Sequence, residues 1–352
     1  MSNTIQYFAR TLHGLEKLSW EDLAAHLASG PPSYSHRTFQ FSSAAAPSDF
    51  LELRGIEDIF VLAGKITGLT HERSSLKTIE DQVRLLPFTA ALQICKSVRS
   101  FAPRERFSVT ASFVGSRNYN RWELAEAVAK GLERKQSWEY VDTRSTPFPP
   151  HDIHVRLVIE EDYALVGLRL GTTPLHKRPY KQVHTEASLN PVLAYHLVRL
   201  ANLHAGETLL DPMCGAGTIP IEAACCEPEA IVLGLDLNPE AIQATQENAA
   251  LAGTAIAAQV GDATNTQLET GSINAIVSDL PWGGQTELKG GSLNDLTAEF
   301  SRLLSPDGRL IILTEHPEDV QNALELRNFR VQIPYTISLH GKHPRVLLSK
   351  KP

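Results

Sequence analysis

Two short stretches hold the residue types that could do chemistry. The first is Asp211-Pro212-Met213-Cys214-Gly215-Ala216-Gly217-Thr218. Its two glycines let a backbone turn tightly and leave the turn's amides open to a ligand, because neither carries a Cβ. The second is Asp279-Leu280-Pro281-Trp282-Gly283. Here a carboxylate can accept a proton or a hydrogen bond, and the proline stiffens the turn and leaves the Leu280 carbonyl to accept. The Trp282 face can stack on a planar base. An exocyclic amine, with two N–H donors, fits that pair of acceptors. Two further acids lie between the stretches, in Gly234-Leu235-Asp236-Leu237-Asn238-Pro239 and in Gly261-Asp262-Ala263.

These residues depend on the elements that must position them. Apolar runs read as strands at 208–211, 231–236, 256–260, 273–279 and 309–314. Helical spacing fills 218–227, 239–252, 293–304 and 317–327, and Asn190-Pro191 opens a further helix to about Leu203. Strands alternating with helices predict a parallel sheet with helices on both faces. Ligands of such sheets bind at the carboxyl ends of the strands, which is where the acids fall. Residues 329–339 and 345–349 read as a hairpin that closes the sheet.

The third glycine of a dinucleotide fingerprint is missing, since Thr218-Ile219-Pro220 follows Gly217. Asp236 stands 25 residues after Asp211, where a carboxylate can accept from both hydroxyls of a ribose. Asp262, one strand further on, is placed to meet an adenine amino group. One acid at a strand end is commonly a helix cap. Three at successive strand ends point to a bound adenosyl compound. The cofactor-binding set is therefore Asp211, Pro212, Cys214, Gly215, Gly217, Thr218, Asp236, Leu237, Asp262, Ala263 and Asp279. The catalytic set is Asp279, Leu280, Pro281 and Trp282.

The first half reads as mixed α/β. Strands are expected at 5–11, 59–66, 106–113, 153–160 and 163–170, and helices at 15–27, 49–53, 85–98 and 121–136. A small-residue loop covers 43–48, and a proline-rich loop covers 143–151. The segment 172–183 has four basic or histidine residues and no acid, and it marks the boundary between halves.

The formal charge of -7 argues at first against a nucleic-acid partner, but it is unevenly spread. Residues 185–352 carry 10 Lys+Arg against 20 Asp+Glu, and residues 1–184 carry 23 against 20. Arg117, Arg121, Lys177, Arg178 and Lys181 are the candidates for holding RNA phosphates. Four cysteines without CxxC spacing argue against a disulfide scaffold and against a metal site. No apolar stretch is long enough to span a bilayer, and residues 1–18 carry no secretory signal, so a cytoplasmic, reduced setting is expected. Nothing in the sequence fixes the oligomeric state.

Together, residues 186–350 resemble the class I S-adenosylmethionine-dependent methyltransferases that act on base amino groups. Those enzymes carry an Asp/Asn-Pro-Pro-aromatic motif at this place. Asp279-Leu280-Pro281-Trp282 departs from it at Leu280 and is similar to the acid-Leu-Pro-aromatic-Gly variant of RNA guanine-N2 methyltransferases. Residues 5–180 resemble a THUMP domain with its preceding ferredoxin-like region. The resemblance implies three domains: a ferredoxin-like region at 1–70, a THUMP RNA-binding domain at 71–184, and a Rossmann-like methyltransferase at 185–352. It implies S-adenosylmethionine as cofactor, tRNA as substrate, and N2-methylguanosine in the acceptor stem as product. Adenine-N6 or rRNA base-amino methylation shares the motif chemistry, and a non-catalytic THUMP RNA-binding protein is the alternative of another class. Methylation of carbon would need a cysteine nucleophile. Cys214, Cys225 and Cys226 read as packing residues instead.

Overall fold

The structure is a computed structural model that describes residues 4–27, 30–101, 105–144, 152–185, 188–281, 291–339 and 341–351. The chain divides into two compact units, one of residues 1–11 and 19–175, the other of residues 12–18 and 176–352.

In the first unit the elements are β1 (Ile5–Arg10), α1 (Glu16–Leu27, whose first turn belongs to the second unit), β2 (Ser33–Ser35), β3 (Thr38–Ser43), a 3-10 turn at Pro47–Glu52 and β4 (Asp58–Ile66). They continue with α2 (Ser74–Val83), α3 (Phe88–Lys96), β5 (Arg106–Phe113), α4 (Arg121–Glu133), β6 (Glu139–Tyr140), β7 (Ile153–Glu160) and β8 (Tyr163–Arg169). The strands form one sheet in the order β2-β3-β1-β4-β8-β7-β5-β6. One face packs against the helices, with Leu23, Ile79, Phe88 and Leu124 in that core. A smaller cluster of Phe8, Phe60, Val158 and Leu165 lies apart from that core. The expected separation of 1–70 from 71–184 is not seen as separate bodies. Antiparallel pairing of β4 with β8, from Phe60↔Arg169 to Ile66↔Ala164, joins the strands of both regions into one sheet. The hairpin β2–β3 was not expected, although Thr38-Phe39-Gln40-Phe41 alternates aromatic and polar residues at the strand period.

In the second unit the order is α5 (Pro191–Ala201), β9 (Thr208–Asp211), α6 (Thr218–Cys226), β10 (Ile231–Asp236), α7 (Pro239–Ala252), β11 (Ala257–Val260), β12 (Ile273–Asp279), α8 (Leu293–Leu303), β13 (Leu304–Thr314), α9 (Pro317–Glu325), β14 (Arg330–Thr336) and β15 (Arg345–Lys350). The sheet runs β11-β10-β9-β12-β13-β15-β14. Its first five strands are parallel, and β15 and β14 close it antiparallel, as the hairpin reading expects.

Neighbouring residues on each strand enter opposite cores, because side chains alternate across a strand. Leu209, Val277 and Ile311 meet α5 and α6, whereas Leu210, Ile276 and Ile312 meet α8 and α9. The helices start where local chemistry says they should. Asn190 and Asn238 each cap a helix that has proline in its first turn. Ser292 with Asp295 closes a reciprocal cap on α8. Among the described residues no helix is long and apolar enough to cross a membrane.

Residues 12–18 are the unexpected part of this unit. Leu12 and Leu15 are buried in one core with Leu193, Leu197, Ile337 and Leu339. Leu15 is only 1% exposed. Leu15→Ala should destabilise the protein by about 2–5 kcal/mol. Leu326→Ala, at a side chain 76% exposed, should change stability by no more than about 0.5 kcal/mol. Urea denaturation of both variants checks this contrast.

Candidate functional site

The parallel order places Asp211, Asp236 and Asp279 at the carboxyl ends of β9, β10 and β12, with Asp262 just after β11. Four adjacent strands thus deliver four carboxylates to one edge.

The turn after β9 has Gly215 at φ 53° and Gly217 at φ 80°, both left-handed. Among the described residues, a Cβ on Gly215 would meet nothing closer than Thr185 Oγ1 at 3.7 Å. Gly217 has a different reason. A Cβ there would lie 2.7 Å from the Thr245 side chain, so this glycine serves the packing of the turn on α7 and not ligand access. Cys214, Pro212, Thr218 and Ala263 are buried. The Cys214 thiol lies against Thr245, and burial pushes its pKa up, which makes it a packing group and not a nucleophile.

Asp211 is 2% exposed. Its Oδ1 accepts from the Met213 amide at 3.2 Å and from Ser278 Oγ at 3.1 Å. Burial first, and the neighbouring Asp279 and Asp236 charges after it, push its pKa up to about 8. Asp211 therefore shapes the turn from below. Asp236 is partly exposed. Its Oδ2 accepts from the Gly215 amide and its Oδ1 from the Asn238 amide, both at 2.9 Å. Each carboxylate oxygen keeps a second lone pair for a ligand hydroxyl. Leu237 is 45% exposed and Val260 53%, leaving an apolar flank beside Asp236. Asp262 accepts from the Thr264 amide at 2.8 Å and from its hydroxyl at 2.7 Å, which fixes the carboxylate after β11.

At the end of β12, Asp279 is partly exposed and pairs in register with Leu313. The Leu280 side chain is buried in the core under α8, and its amide donates to the Leu313 carbonyl at 3.0 Å. This pins the peptide that follows Asp279. Pro281 is exposed, and Trp282 lies outside the described residues. Among the described residues no group of His, Cys, Asp and Glu could hold a metal ion.

The five basic candidates are not equally exposed. Arg178 is 8% exposed, and its Nε donates to the fully buried Glu222 at 3.0 Å. Tyr180 Oη donates to the same oxygen at 2.8 Å. A guanidinium buried in this way cannot meet a phosphate, so Arg178 leaves the RNA-binding set. Lys181 donates to the Leu189 carbonyl, and burial lowers its pKa to about 8, so it serves the fold too. Arg117 fastens its own loop, donating to the carbonyls of Thr70 at 2.9 Å and Glu161 at 2.5 Å. Arg121 and Lys177 are exposed. Arg121 lies over the Trp122 ring at 4.7 Å.

Two residues that the sequence reading missed hold the turn from α7. Thr245 Oγ1 donates to the Gly215 carbonyl at 2.8 Å, and Asn248 Nδ2 donates to the Ala216 carbonyl at 3.0 Å. Both are polar positions on the otherwise alanine-rich buried face of α7, which was the available signal.

Comparisons with known proteins agree with this geometry. Residues 178–345 match the RMKL-like methyltransferase domain family. The chain is 30% identical over 70% of its length to a Bos taurus protein named tRNA (guanine(6)-N(2))-methyltransferase THUMP3, covering 51% of that protein. It is 28% identical over 54% of its length to a Mus musculus protein named U6 snRNA (guanine-N(2))-methyltransferase THUMPD2, covering 35% of it. The chain thus spans about half or less of these two relatives. The crystal structure of TrmN from Thermus thermophilus superposes with a TM-score of 0.81 at 25% identity, over 99% of this chain and 100% of that one.

Two predictions come from the buried groups. The folded pKa of Asp211, about 8, lies above the unfolded value of about 4. The native state then binds more protons than the unfolded one between those values, and stability falls as pH rises through that window. Asp211→Asn should gain stability relative to the wild type from about pH 4 to 8. Urea denaturation at a series of pH values reads the difference, and a flat difference would show a carboxylate ionised throughout. Arg178→Ala should cost about 3–5 kcal/mol, because it leaves Glu222 buried without that charge. Urea denaturation of the variant reads this loss.

Proposed function

This chain belongs to the THUMP-domain class I S-adenosylmethionine-dependent RNA methyltransferases, and from that membership we propose that it methylates the exocyclic N2 amine of a guanosine in RNA. The substrate we propose is tRNA, at a guanosine of the acceptor stem. The observation that carries the reaction is the end of β12, where Asp279 and the pinned Leu280 peptide stand one strand away from the glycine turn.

S-adenosylmethionine fits the residues present. The missing Cβ of Gly215 leaves a cradle, the Asp236 carboxylate has lone pairs left for two ribose hydroxyls, and Leu237 offers an apolar flank. Asp262 and Ala263 border the adenine side. When bound, this cofactor supplies an electrophilic methyl group on a sulfonium. Everything else falls to the chain's own groups.

The guanine amine is a poor nucleophile, because its lone pair is delocalised into the ring. Asp279 and the Leu280 carbonyl accept its two N–H donors, which holds the nitrogen in line and keeps its lone pair on the nitrogen. As the C–N bond forms and the methyl–sulfur bond breaks, the sulfur leaving as a neutral thioether, the amine would become acidic, and the Asp279 carboxylate is placed to take the proton. Trp282 supplies a face on which the flipped base can stack. Positioning of this kind can supply about 7–11 kcal/mol.

The mouse and bovine relatives are named for the same atom on different RNAs. This supports the reaction more directly than the choice of RNA. On the first unit, exposed Arg121 beside Trp122 supports contact with RNA. Arg117 stays in the proposal only through the loop that it holds.

Asp279→Ala should lower turnover by about 10²–10⁴-fold, a larger effect than its effect on binding of S-adenosylmethionine. Incubation of undermodified tRNA with labelled cofactor, followed by nucleoside mass spectrometry, checks both product and variant. Labelled N2-methylguanosine is the expected product. N6-methyladenosine would overturn the guanine reading, and full activity of the variant would remove the role given to Asp279.

A further inference from the structure

The cofactor turn is held by groups that its own motif does not contain. The Gly215 amide is taken by Asp236, the Gly215 carbonyl by Thr245 and the Ala216 carbonyl by Asn248. Thr245 and Asn248 are three residues apart on one face of α7, and both are 0% exposed. Asn248 reaches further. Its Nδ2 also donates to the Val183 carbonyl at 2.9 Å, and its Oδ1 accepts from the amides of Gln182 at 3.2 Å and Val183 at 3.0 Å. Both donors and both acceptor positions of the side-chain amide are used, all of them on backbone groups. Two N–H groups at one end and two carbonyls at the other also settle which way the amide points. Two residues beyond Val183 comes Thr185, whose hydroxyl is the atom nearest to the missing Cβ of Gly215.

We propose that Asn248 is a positioning residue for the cofactor: it ties the strap 182–185 to the Ala216 carbonyl and so holds the glycine turn in its ligand-ready shape. This rests on reading Asp211–Gly217 as the cofactor turn. A turn built on left-handed glycines has little side chain with which to hold itself, and glycine loses more freedom on ordering than any other residue. An external clamp carries that ordering cost in the folded protein instead of at binding, which raises affinity. Asparagine is a poor helix former, so the helical propensity of α7 does not explain it. No other side chain of this length offers two donors and two acceptors in one plane. Aspartate keeps the two acceptor contacts but sets a carboxylate against two carbonyl oxygens.

The test uses the full-length protein, calorimetric titration with S-adenosylmethionine, and steady-state turnover on tRNA. Asn248→Asp should raise the Kd and the KM for the cofactor by about 10- to 100-fold, the loss of two buried hydrogen bonds. At saturating cofactor kcat should stay within about twofold, because only binding was removed, and RNA affinity should not move. Asn274→Ala is the control for a purely structural loss. It removes an acceptor of the Thr208 amide at 2.8 Å, at the other end of β9, and should lower Tm without moving the Kd. Thr245→Val covers the case in which Asn248→Asp does not fold, and it should weaken cofactor binding about tenfold. Wild-type binding with unchanged affinity in a folded Asn248→Asp overturns the inference. So does unchanged affinity in Thr245→Val if Asn248→Asp is unfolded. A wild type that fails to bind S-adenosylmethionine instead overturns the reading of the turn itself.

Discussion

The hydrogen bond from the Gly215 amide to the Asp236 carboxylate, 2.9 Å long, joins the ends of two neighbouring parallel strands. Together with the Cys214 amide, which donates to the Leu235 carbonyl at 2.8 Å, it ties the turn after β9 to the acid that ends β10. With it, the carboxylate offered to a ligand hydroxyl and the backbone offered to the rest of the ligand keep one fixed geometry. The Asn238 amide holds the other oxygen of the same carboxylate, so its orientation is set twice. Such an arrangement is preorganised, with its polar groups already aimed by the fold.

The four acids at that edge divide into different roles because their surroundings differ. Asp211 is buried beneath the turn and held near neutrality, where it accepts from a backbone amide and from Ser278. Asp236 and Asp279 are partly exposed, while Asp262 is tied to Thr264. One residue type at four strand ends thus supplies both a structural group and groups for chemistry. Burial, not identity, separates them.

Burial separates the basic residues in the same way. In sequence, His176-Lys177-Arg178-Pro179-Tyr180-Lys181 looks like one basic surface. In the structure it is a strap whose alternate residues turn inward. Arg178 and Tyr180 converge on Glu222, and Lys181 reaches a backbone carbonyl, while Lys177 stays exposed. A buried ion pair of this kind is costly to break and gives the strap a single position. That position carries residues 182–185 to Asn248 and to the glycine turn.

The sequence by itself determined most of the strands and helices of the second unit, apart from residues 12–18 and the early start of β13 at Leu304. Strands 208–211, 231–236 and 273–279 and the helix 239–252 stand where apolar period and capping residues put them, because parallel strands and capped helices are written in local pattern. The same pattern placed the acids at one edge. Only the tertiary structure decided that β4 and β8 join two regions into one sheet, and that Leu12 and Leu15 belong to a core with Ile337. It also decided which basic residues face solvent, and that Thr245 and Asn248 hold the glycine turn. The physical reason is common to all four. Each rests on partners from 30 to over 300 residues away in the chain, the Lys181 contact to Leu189 excepted, and a local pattern records a residue's periodicity but not the group it will meet.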